Sequence, residues 1–122
     1  MRTVAVVDDD ADAREAMEDL LARRGYGVLL IGEAERLMPI LATTPVDLIV
    51  MDVMMPKING LDLCRAVKDS PELRHIPVML ISGLTSTMDV TQGLNCGAVD
   101  YLKKPVEGHK LMARIRAVIG PP

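Results

Sequence analysis

The chain opens with Thr3-Val-Ala-Val-Val-Asp-Asp-Asp10, a run of small and β-branched apolar residues that ends abruptly in three aspartates. Such a run is typical of a strand that is buried on both faces of a parallel sheet. Comparable apolar runs lead to other polar residues: Leu48-Ile-Val-Met51 before Asp52, Val78-Met-Leu-Ile81 before Ser82, and Tyr101-Leu102 before Lys104. Because ligands of open parallel sheets bind beyond the carboxyl ends of the strands, these polar residues are predicted to share one site.

An amphipathic helix is predicted directly after the first apolar run. Its apolar positions recur at helical spacing and include Met17, Leu20 and Leu21. Asp10 or Asp12 would cap its N-terminus, and Arg23-Arg24-Gly25 would end it. We assign Arg14, Arg23 and Arg24 to the solvated side of this helix.

The rest of the chain continues to alternate strand and helix. We predict a second strand at 27–31, a second helix at 33–42 that is interrupted or ended near Pro39, and helices at about 60–69, 87–95 and 107–119. Gly93 makes the fourth helix the weakest, and Gly97 would cap its end. The alternation indicates an α/β three-layer sandwich, in which right-handed crossovers place helices on both faces of a parallel sheet. Residues 1–120 would form the domain, and 121–122 a tail or the start of a linker.

The composition is that of a single ordinary globular domain. The chain has 122 residues, of which 49% are hydrophobic, and a net charge of −3, which argues against direct nucleic-acid binding. No apolar run approaches the roughly 20 residues of a membrane span, and the N-terminus lacks the design of a signal peptide, so we expect a cytoplasmic protein. Cys64 and Cys96 form no Cys-x-x-Cys pair, and neither a disulfide nor a zinc site is predicted.

Three carboxylates point to a divalent cation. Asp8, Asp9 and Asp52 would meet where the first and third strands end, and Mg²⁺ prefers such oxygen ligands. Asp52 would also be a natural nucleophile, since carboxylates form aspartyl phosphates. The alternative is that the acidic triplet merely caps the first helix. That alternative leaves Asp52 unexplained, because a carboxylate at the end of a buried strand needs a partner.

Ser82 and Lys104 would complete a phosphate site at two further strand ends. A lysine ammonium can act as a point charge on phosphate oxygens, and a serine hydroxyl can donate a hydrogen bond to the same group. Taken singly, each residue is also consistent with an ordinary position in a loop. Together at neighbouring strand ends they predict a cradle for one phosphoryl group.

The chain resembles the receiver domain of bacterial two-component response regulators along nearly its whole length. Four segments carry the resemblance in the right order: Val6-Val-Asp-Asp-Asp10, Met51-Asp-Val-Met-Met-Pro-Lys-Ile-Asn-Gly60, Ile81-Ser-Gly83 and Gly97-Ala-Val-Asp-Tyr-Leu-Lys-Lys-Pro105. The resemblance implies a flavodoxin-like (βα)5 fold with a five-stranded parallel sheet in the order 2-1-3-4-5.

The same resemblance implies a role for each site residue. Asp52 would be the phosphoacceptor. The ion would be held by Asp8, Asp9, Asp52 and the backbone carbonyl of Met54. Lys104 and Ser82 would contact the phosphoryl group, and Ser82 and Tyr101 would be the switch residues. The ion would be Mg²⁺, with Mn²⁺ as an alternative. The Lys104–Pro105 bond is expected to be cis.

A few residues depart from the family pattern without removing a chemical group. Ser82 stands where threonine is commoner, and Val106 where phenylalanine often follows the Lys-Pro pair, so the packing of the last helix is expected to differ. By analogy with the family, Met54 and Leu84 would flank the site with apolar side chains that hinder the hydrolytic water. We therefore expect a phosphoryl lifetime of minutes or longer.

The function implied is phosphoryl acceptance from a histidine kinase or a histidine phosphotransfer protein. Phosphorylation would switch the surface of the fourth helix, fifth strand and fifth helix toward an output domain or effector, with a homodimer through the same surface left open. No separate substrate would be turned over. The alternatives are an interaction module of this fold that ignores phosphate, and a phosphohydrolase, which would need a second catalytic carboxylate and a cap.

Overall fold

In this computed structural model of the protein, the structure describes residues 1–83 and 87–122. The strands are β1 (Thr3–Val7), β2 (Gly27–Ile31), β3 (Leu48–Asp52), β4 (Val78–Ser82) and β5 (Asp100–Lys103). The helices are α1 (Ala11–Arg23), α2 (Leu37–Thr43), α3 (Gly60–Asp69), α4 (Thr87–Asn95) and α5 (Gly108–Ile119). The strands pair in parallel in the order β2-β1-β3-β4-β5, which confirms the predicted flavodoxin-like architecture.

Each face of the sheet has its own buried layer, because successive side chains of a strand point to opposite faces. One layer includes Val7, Met51 and Leu80 and packs against α2, α3 and the residues that follow α4. The other includes Val6 and Ile81 and packs against α1 and α5. The core is built without tryptophan or phenylalanine, as expected from the composition.

The helix ends follow the predicted capping residues. The Asp10 side chain accepts hydrogen bonds from the backbone N–H groups of Asp12 and Ala13, at 3.0 and 3.5 Å, so Asp10 rather than Asp12 caps α1. Gly97 has a φ of +102°, a conformation that favours glycine, and it follows the end of α4 as predicted.

The second helix differs from the prediction of a helix over 33–42 that is interrupted or ended near Pro39. A 3₁₀ turn at Ala34–Arg36 comes first, and α2 then runs from Leu37 to Thr43. Pro39 is the third residue of α2, in the first turn, where a backbone N–H has no acceptor within the helix in any case. The proline is therefore tolerated, and the break in the helix lies before it.

The two cysteines are neighbours in space although they are distant in sequence. The Cys64 thiol donates a hydrogen bond of 3.6 Å to the backbone oxygen of Cys96, and both residues are buried and free. Burial raises the pKa of the Cys64 thiol to about 12, which keeps it neutral. Neither cysteine is part of a disulfide in the structure.

Membrane-spanning helices are absent from the part of the chain that the structure describes. No helix there is both long enough and apolar enough to cross a bilayer.

Candidate functional site

The strand register aligns the polar residues at one edge of the sheet. Val7 pairs with Met51 across β1 and β3, so Asp8 and Asp52 follow at the same level. Ser82 pairs with Lys103 across β4 and β5, which places Lys104 just beyond the end of β5. The carboxyl ends of these strands therefore present their polar residues together, as the sequence predicts.

Three aspartates form a cluster that could hold a metal ion. One carboxylate oxygen from each of Asp8, Asp9 and Asp52 lies within 4.8 Å of the other two. Asp8 and Asp52 are only 8% and 7% exposed, whereas Asp9 is exposed. Buried carboxylates need compensating positive charge, and an all-oxygen donor set suits Mg²⁺ or Mn²⁺. The residues present therefore fit a divalent cation.

Lys104 brings a positive charge to the buried carboxylates. Its Nζ lies 3.2 Å from Oδ2 of Asp52 and 3.4 Å from Oδ2 of Asp8. Its backbone N–H donates a 2.9 Å hydrogen bond to the backbone oxygen of Ser82, and the Lys104–Pro105 peptide bond is cis as expected. Burial lowers the pKa of Lys104, but the two carboxylates raise it by more, so the net shift is upward.

Burial and the same charged neighbours also set the pKa of Asp52. Burial is the largest influence and raises the pKa of Asp52 above its ordinary value. The Lys104 charge opposes that rise, and the nearby Asp8 carboxylate adds to it. Ionising Asp52 therefore costs the folded protein free energy, which a bound cation would recover.

A tight loop after β3 folds back onto Asp52. The backbone N–H of Gly60 donates a 2.8 Å hydrogen bond to the oxygen of Val53 and closes the loop. A Cβ on Gly60 would lie 2.8 Å from Cα of Val53 and nearer still to the backbone oxygen of Asp52, so only glycine permits this approach. Within the loop, Met54 is 60% exposed, and its N–H donates a long, 3.4 Å hydrogen bond to Oδ1 of Asp52.

The two predicted switch residues lie on neighbouring strands. Ser82 ends β4 and is completely buried. Tyr101 is partly buried on β5 and packs against the core layer that contains α2 and α3. Leu84, which we predicted to flank the site, lies outside the described residues.

Arg14 contacts the site, and its assignment to the solvated side of α1 is wrong. Its Nη1 donates a 2.7 Å hydrogen bond to the backbone oxygen of Asp8. The guanidinium also packs against Gly32, where a Cβ would lie only 2.8 Å from Nη1. Helical periodicity gives no signal for this contact, because it depends on where the end of β2 lies. Arg23, in contrast, pairs with Asp19 at the exposed surface, as predicted.

A cavity of about 290 Å³ adjoins the cluster between the sheet, α1 and the residues after β5. Asp52 and Lys104 line its polar part, and Met17, Leu20 and Val106 are among its apolar walls. Val106 lies in the wall of this cavity, and the expected difference in packing near the last helix stays a prediction.

Comparison with known proteins gives one consistent family. The model of the response regulator receiver domain family matches residues 4–116. The chain is 39% identical to the transcriptional regulatory protein AfsQ1 of Streptomyces coelicolor over 98% of its own length and 52% of that protein. It is 35% identical to the transcriptional regulatory protein CpxR of Escherichia coli, over 98% and 50%. The chain thus spans about half the length of the curated relatives that it matches.

A solved structure agrees with the sequence comparison. The signal receiver domain of a signal transduction histidine kinase from Syntrophus aciditrophicus superposes with a TM-score of 0.90 at 32% identity. The match covers 98% of this chain and 90% of that chain.

Proposed function

The chain belongs to the response regulator receiver domain family, and we propose that it accepts a phosphoryl group on Asp52 from a phosphohistidine donor. One observation carries the proposal. A nearly buried Asp52 carboxylate shares the sheet edge with two further carboxylates and lies 3.2 Å from the Lys104 ammonium. This arrangement supplies a nucleophile, an ion site and a charge for the transferred group.

Asp52 is a better nucleophile candidate than its two neighbours. The two oxygens of Asp8 are both engaged, since Oδ1 accepts the backbone N–H of Asp10 at 3.0 Å and Oδ2 faces Lys104. Asp9 is exposed and makes no described contact with Lys104. Among the contacts within residues 1–83 and 87–122, Oδ1 of Asp52 accepts one long hydrogen bond, from Met54, and is thus less engaged than either oxygen of Asp8.

In the proposed transfer, a carboxylate oxygen of Asp52 attacks the phosphorus of the donor. The new O–P bond forms as the P–N bond to the donor imidazole breaks, and the imidazole nitrogen keeps the electron pair. The Lys104 ammonium offsets the negative charge of the phosphoryl oxygens. Asp8, Asp9, Asp52 and the backbone carbonyl of Met54 would hold Mg²⁺ or Mn²⁺, which supplies further charge neutralisation when bound.

The proposed output is a change of surface at α4, β5 and α5. Ser82 would donate a hydrogen bond to the new phosphoryl group, and Tyr101 would respond on the neighbouring strand. The partners would be a histidine kinase or phosphotransfer protein upstream and an output domain or effector downstream. The names of AfsQ1 and CpxR as transcriptional regulators support an output in transcription. Homodimerisation through the same surface belongs to this proposal.

The proposal includes no separate substrate. The chain would phosphorylate and dephosphorylate itself, and it would act in the bacterial cytoplasm. The support is the bacterial origin of its relatives and a site that holds the acceptor within the chain.

Intact-mass measurement tests the proposal directly. The chain is incubated with acetyl phosphate, with and without Mg²⁺, beside the variant Asp52→Asn. We expect the mass of one phosphoryl group on the wild-type chain only when Mg²⁺ is present, and no gain on the variant.

The alternative function is an interaction module of the same fold that ignores phosphate. It predicts no gain of mass under any condition, and that result would overturn the proposal. Steady hydrolysis of a phosphate ester would instead indicate a phosphohydrolase.

A further inference from the structure

Gly93 is a buried glycine inside a helix, where glycine is among the least favourable residues. From the sequence alone it marks α4 as weak. A glycine that is retained inside a helix often has a packing reason, such as the close approach of another group to its backbone. The structure contains such a group.

The ring of Tyr101 lies directly on the backbone of α4 at Gly93. A Cβ at this position would be 2.8 Å from Cε2 of Tyr101 and closer still to Cδ2, distances that real side chains essentially never show. The same Cβ would lie 3.4 Å from Cδ1 of Leu80, which is ordinary contact. The ring therefore keeps its position only because residue 93 has no side chain.

The backbone beneath the ring is itself held in place. The Cys96 thiol donates a 2.8 Å hydrogen bond to the backbone oxygen of Gly93. The Cys64 thiol of α3 in turn donates to the backbone oxygen of Cys96. Both thiols are buried and neither is part of a disulfide. The α4 backbone at Gly93 is thus linked to α3 by hydrogen bonds, which oppose its movement away from an added methyl group.

The ring also shares a sheet face with the end of β4. Tyr101 pairs with Leu80, and Ser82 lies two residues further along the same strand, so its side chain points to the same face. Ser82 follows Ile81, which pairs with Asp52 of β3. A change in the position of the Ser82 side chain would therefore alter the space available on the face where the ring lies.

We propose that Gly93 is the positioning residue that receives the Tyr101 ring and thereby couples α4 to the state of the Asp52 site. The coupling to phosphorylation rests on the proposed function, whereas the contact between ring and helix does not. Gly93→Ala would displace the ring from α4, and the displaced ring would no longer respond to phosphorylation of Asp52.

Fluorine NMR of protein labelled with 3-fluorotyrosine tests both parts. The chain has only two tyrosines, so Tyr26→Phe assigns the remaining signal to Tyr101. Without phosphodonor, we expect Gly93→Ala to shift the Tyr101 signal and to leave that of Tyr26 in place. With acetyl phosphate and Mg²⁺, we expect a shift of the Tyr101 signal in the wild type that is lost, or reduced severalfold, in the variant. Gln92→Ala, at an exposed α4 position, controls for a change in the helix itself and is expected to behave as the wild type.

The intact mass of each sample separates the two ways of failing. Phosphorylated Gly93→Ala with the wild-type Tyr101 signal and response would overturn the inference. Absence of phosphorylation in every sample would overturn the proposed function, and the spectra without donor would still test the contact between Gly93 and the ring.

A double-mutant cycle keeps the test valid if the variant is unstable. Gly93→Ala is expected to lower the melting temperature of the wild type. In a Tyr101→Leu background, which removes the ring, the same change is expected to raise the melting temperature, because alanine favours a helix. A decrease of equal size in both backgrounds would contradict the proposal.

Discussion

At the scale of single residues, Asp52 is expected to cost the folded protein stability. Its raised pKa means that the folded state binds the proton more tightly than the unfolded state does. The free energy of unfolding should therefore fall as pH rises from the ordinary pKa of aspartate through the raised value, and then level off. Asp52→Asn, measured by urea denaturation without Mg²⁺, should therefore be more stable than the wild type at neutral pH.

The pH dependence of this difference is the sharper test. Asparagine does not titrate, so the advantage of the variant should be small near the ordinary aspartate pKa and should grow as pH rises. An advantage that is independent of pH, or a variant that is less stable at neutral pH, would contradict the account of Asp52.

Asp9 allows a test of the ion site without disturbing the core, because its side chain is exposed. Mg²⁺ should raise the melting temperature of the wild type, since a ligand that binds only the folded state stabilises it by about 2.7 kcal/mol at 100 times its Kd. Asp9→Asn should weaken this dependence on Mg²⁺. Asp10→Asn is the matched control: it removes a neighbouring charge, while asparagine caps a helix as well as aspartate does.

In calorimetric titrations, Asp9→Asn should bind Mg²⁺ more weakly than Asp10→Asn does. Equal loss of the Mg²⁺ effect in both would indicate that only the overall negative charge matters. Asp9 would then not be a ligand.

At the scale of elements, Arg14 joins α1 to the end of β1. Arg14→Ala should lower the free energy of unfolding by about 1.5–3 kcal/mol, the range for a hydrogen bond from a charged donor, because the backbone oxygen of Asp8 loses its partner. Arg23→Ala, on the same helix, breaks an exposed ion pair with Asp19 and should cost about 0.2–1 kcal/mol. Urea denaturation measures the free energy of unfolding of both variants. Equal losses would contradict the role of Arg14 in holding the end of β1.

Features within one element could be predicted from the sequence, whereas contacts between separate elements could not. Strand ends, the Asp10 cap and the Gly97 cap follow from local patterns, and the structure has them where predicted. Residue contacts that cross between elements do not follow from such patterns. Arg14 meets Gly32, and Tyr101 meets Gly93, only because the fold brings separate segments together.

Pro39 illustrates a different limit. A proline signals a helix boundary, but the sequence does not say on which side of it the helix lies. Here the helix begins just before the proline, where its missing N–H costs nothing.

At the scale of the whole molecule, the cavity beside the site lies between the sheet and its α1–α5 layer and opens to solvent. Val106→Phe should occupy part of the 290 Å³ and raise the free energy of unfolding by about 0.5–2 kcal/mol, as cavity-filling changes commonly do. Val99→Phe is the matched control, because Val99 is 47% exposed and does not line the cavity. Thermal melts that show no gain for Val106→Phe would mean that the cavity cannot accept a ring without strain.

The parallel sheet follows from the residue pattern of the chain, whereas the strand order and the roles of the residues at the strand ends follow from the family resemblance. Alternation of strands and helices predicted a parallel sheet, and the family resemblance added the order 2-1-3-4-5, which is confirmed. The register then brings Asp8, Asp52, Ser82 and Lys104 to one edge. The chemical roles of these residues are proposals. All of them depend on one claim, that Asp52 carries the phosphoryl group.

Chemical mapping of the phosphorylated residue tests that claim most directly. The chain is treated with acetyl phosphate and Mg²⁺ and then with borohydride, which reduces an acyl phosphate to the alcohol and so converts a phosphorylated aspartate to homoserine. Fragmentation of the resulting peptides by mass spectrometry locates the homoserine. We expect it at position 52, with positions 8 and 9 unchanged. Homoserine at position 8 or 9, or at no position in a chain that has gained phosphate, would contradict the account.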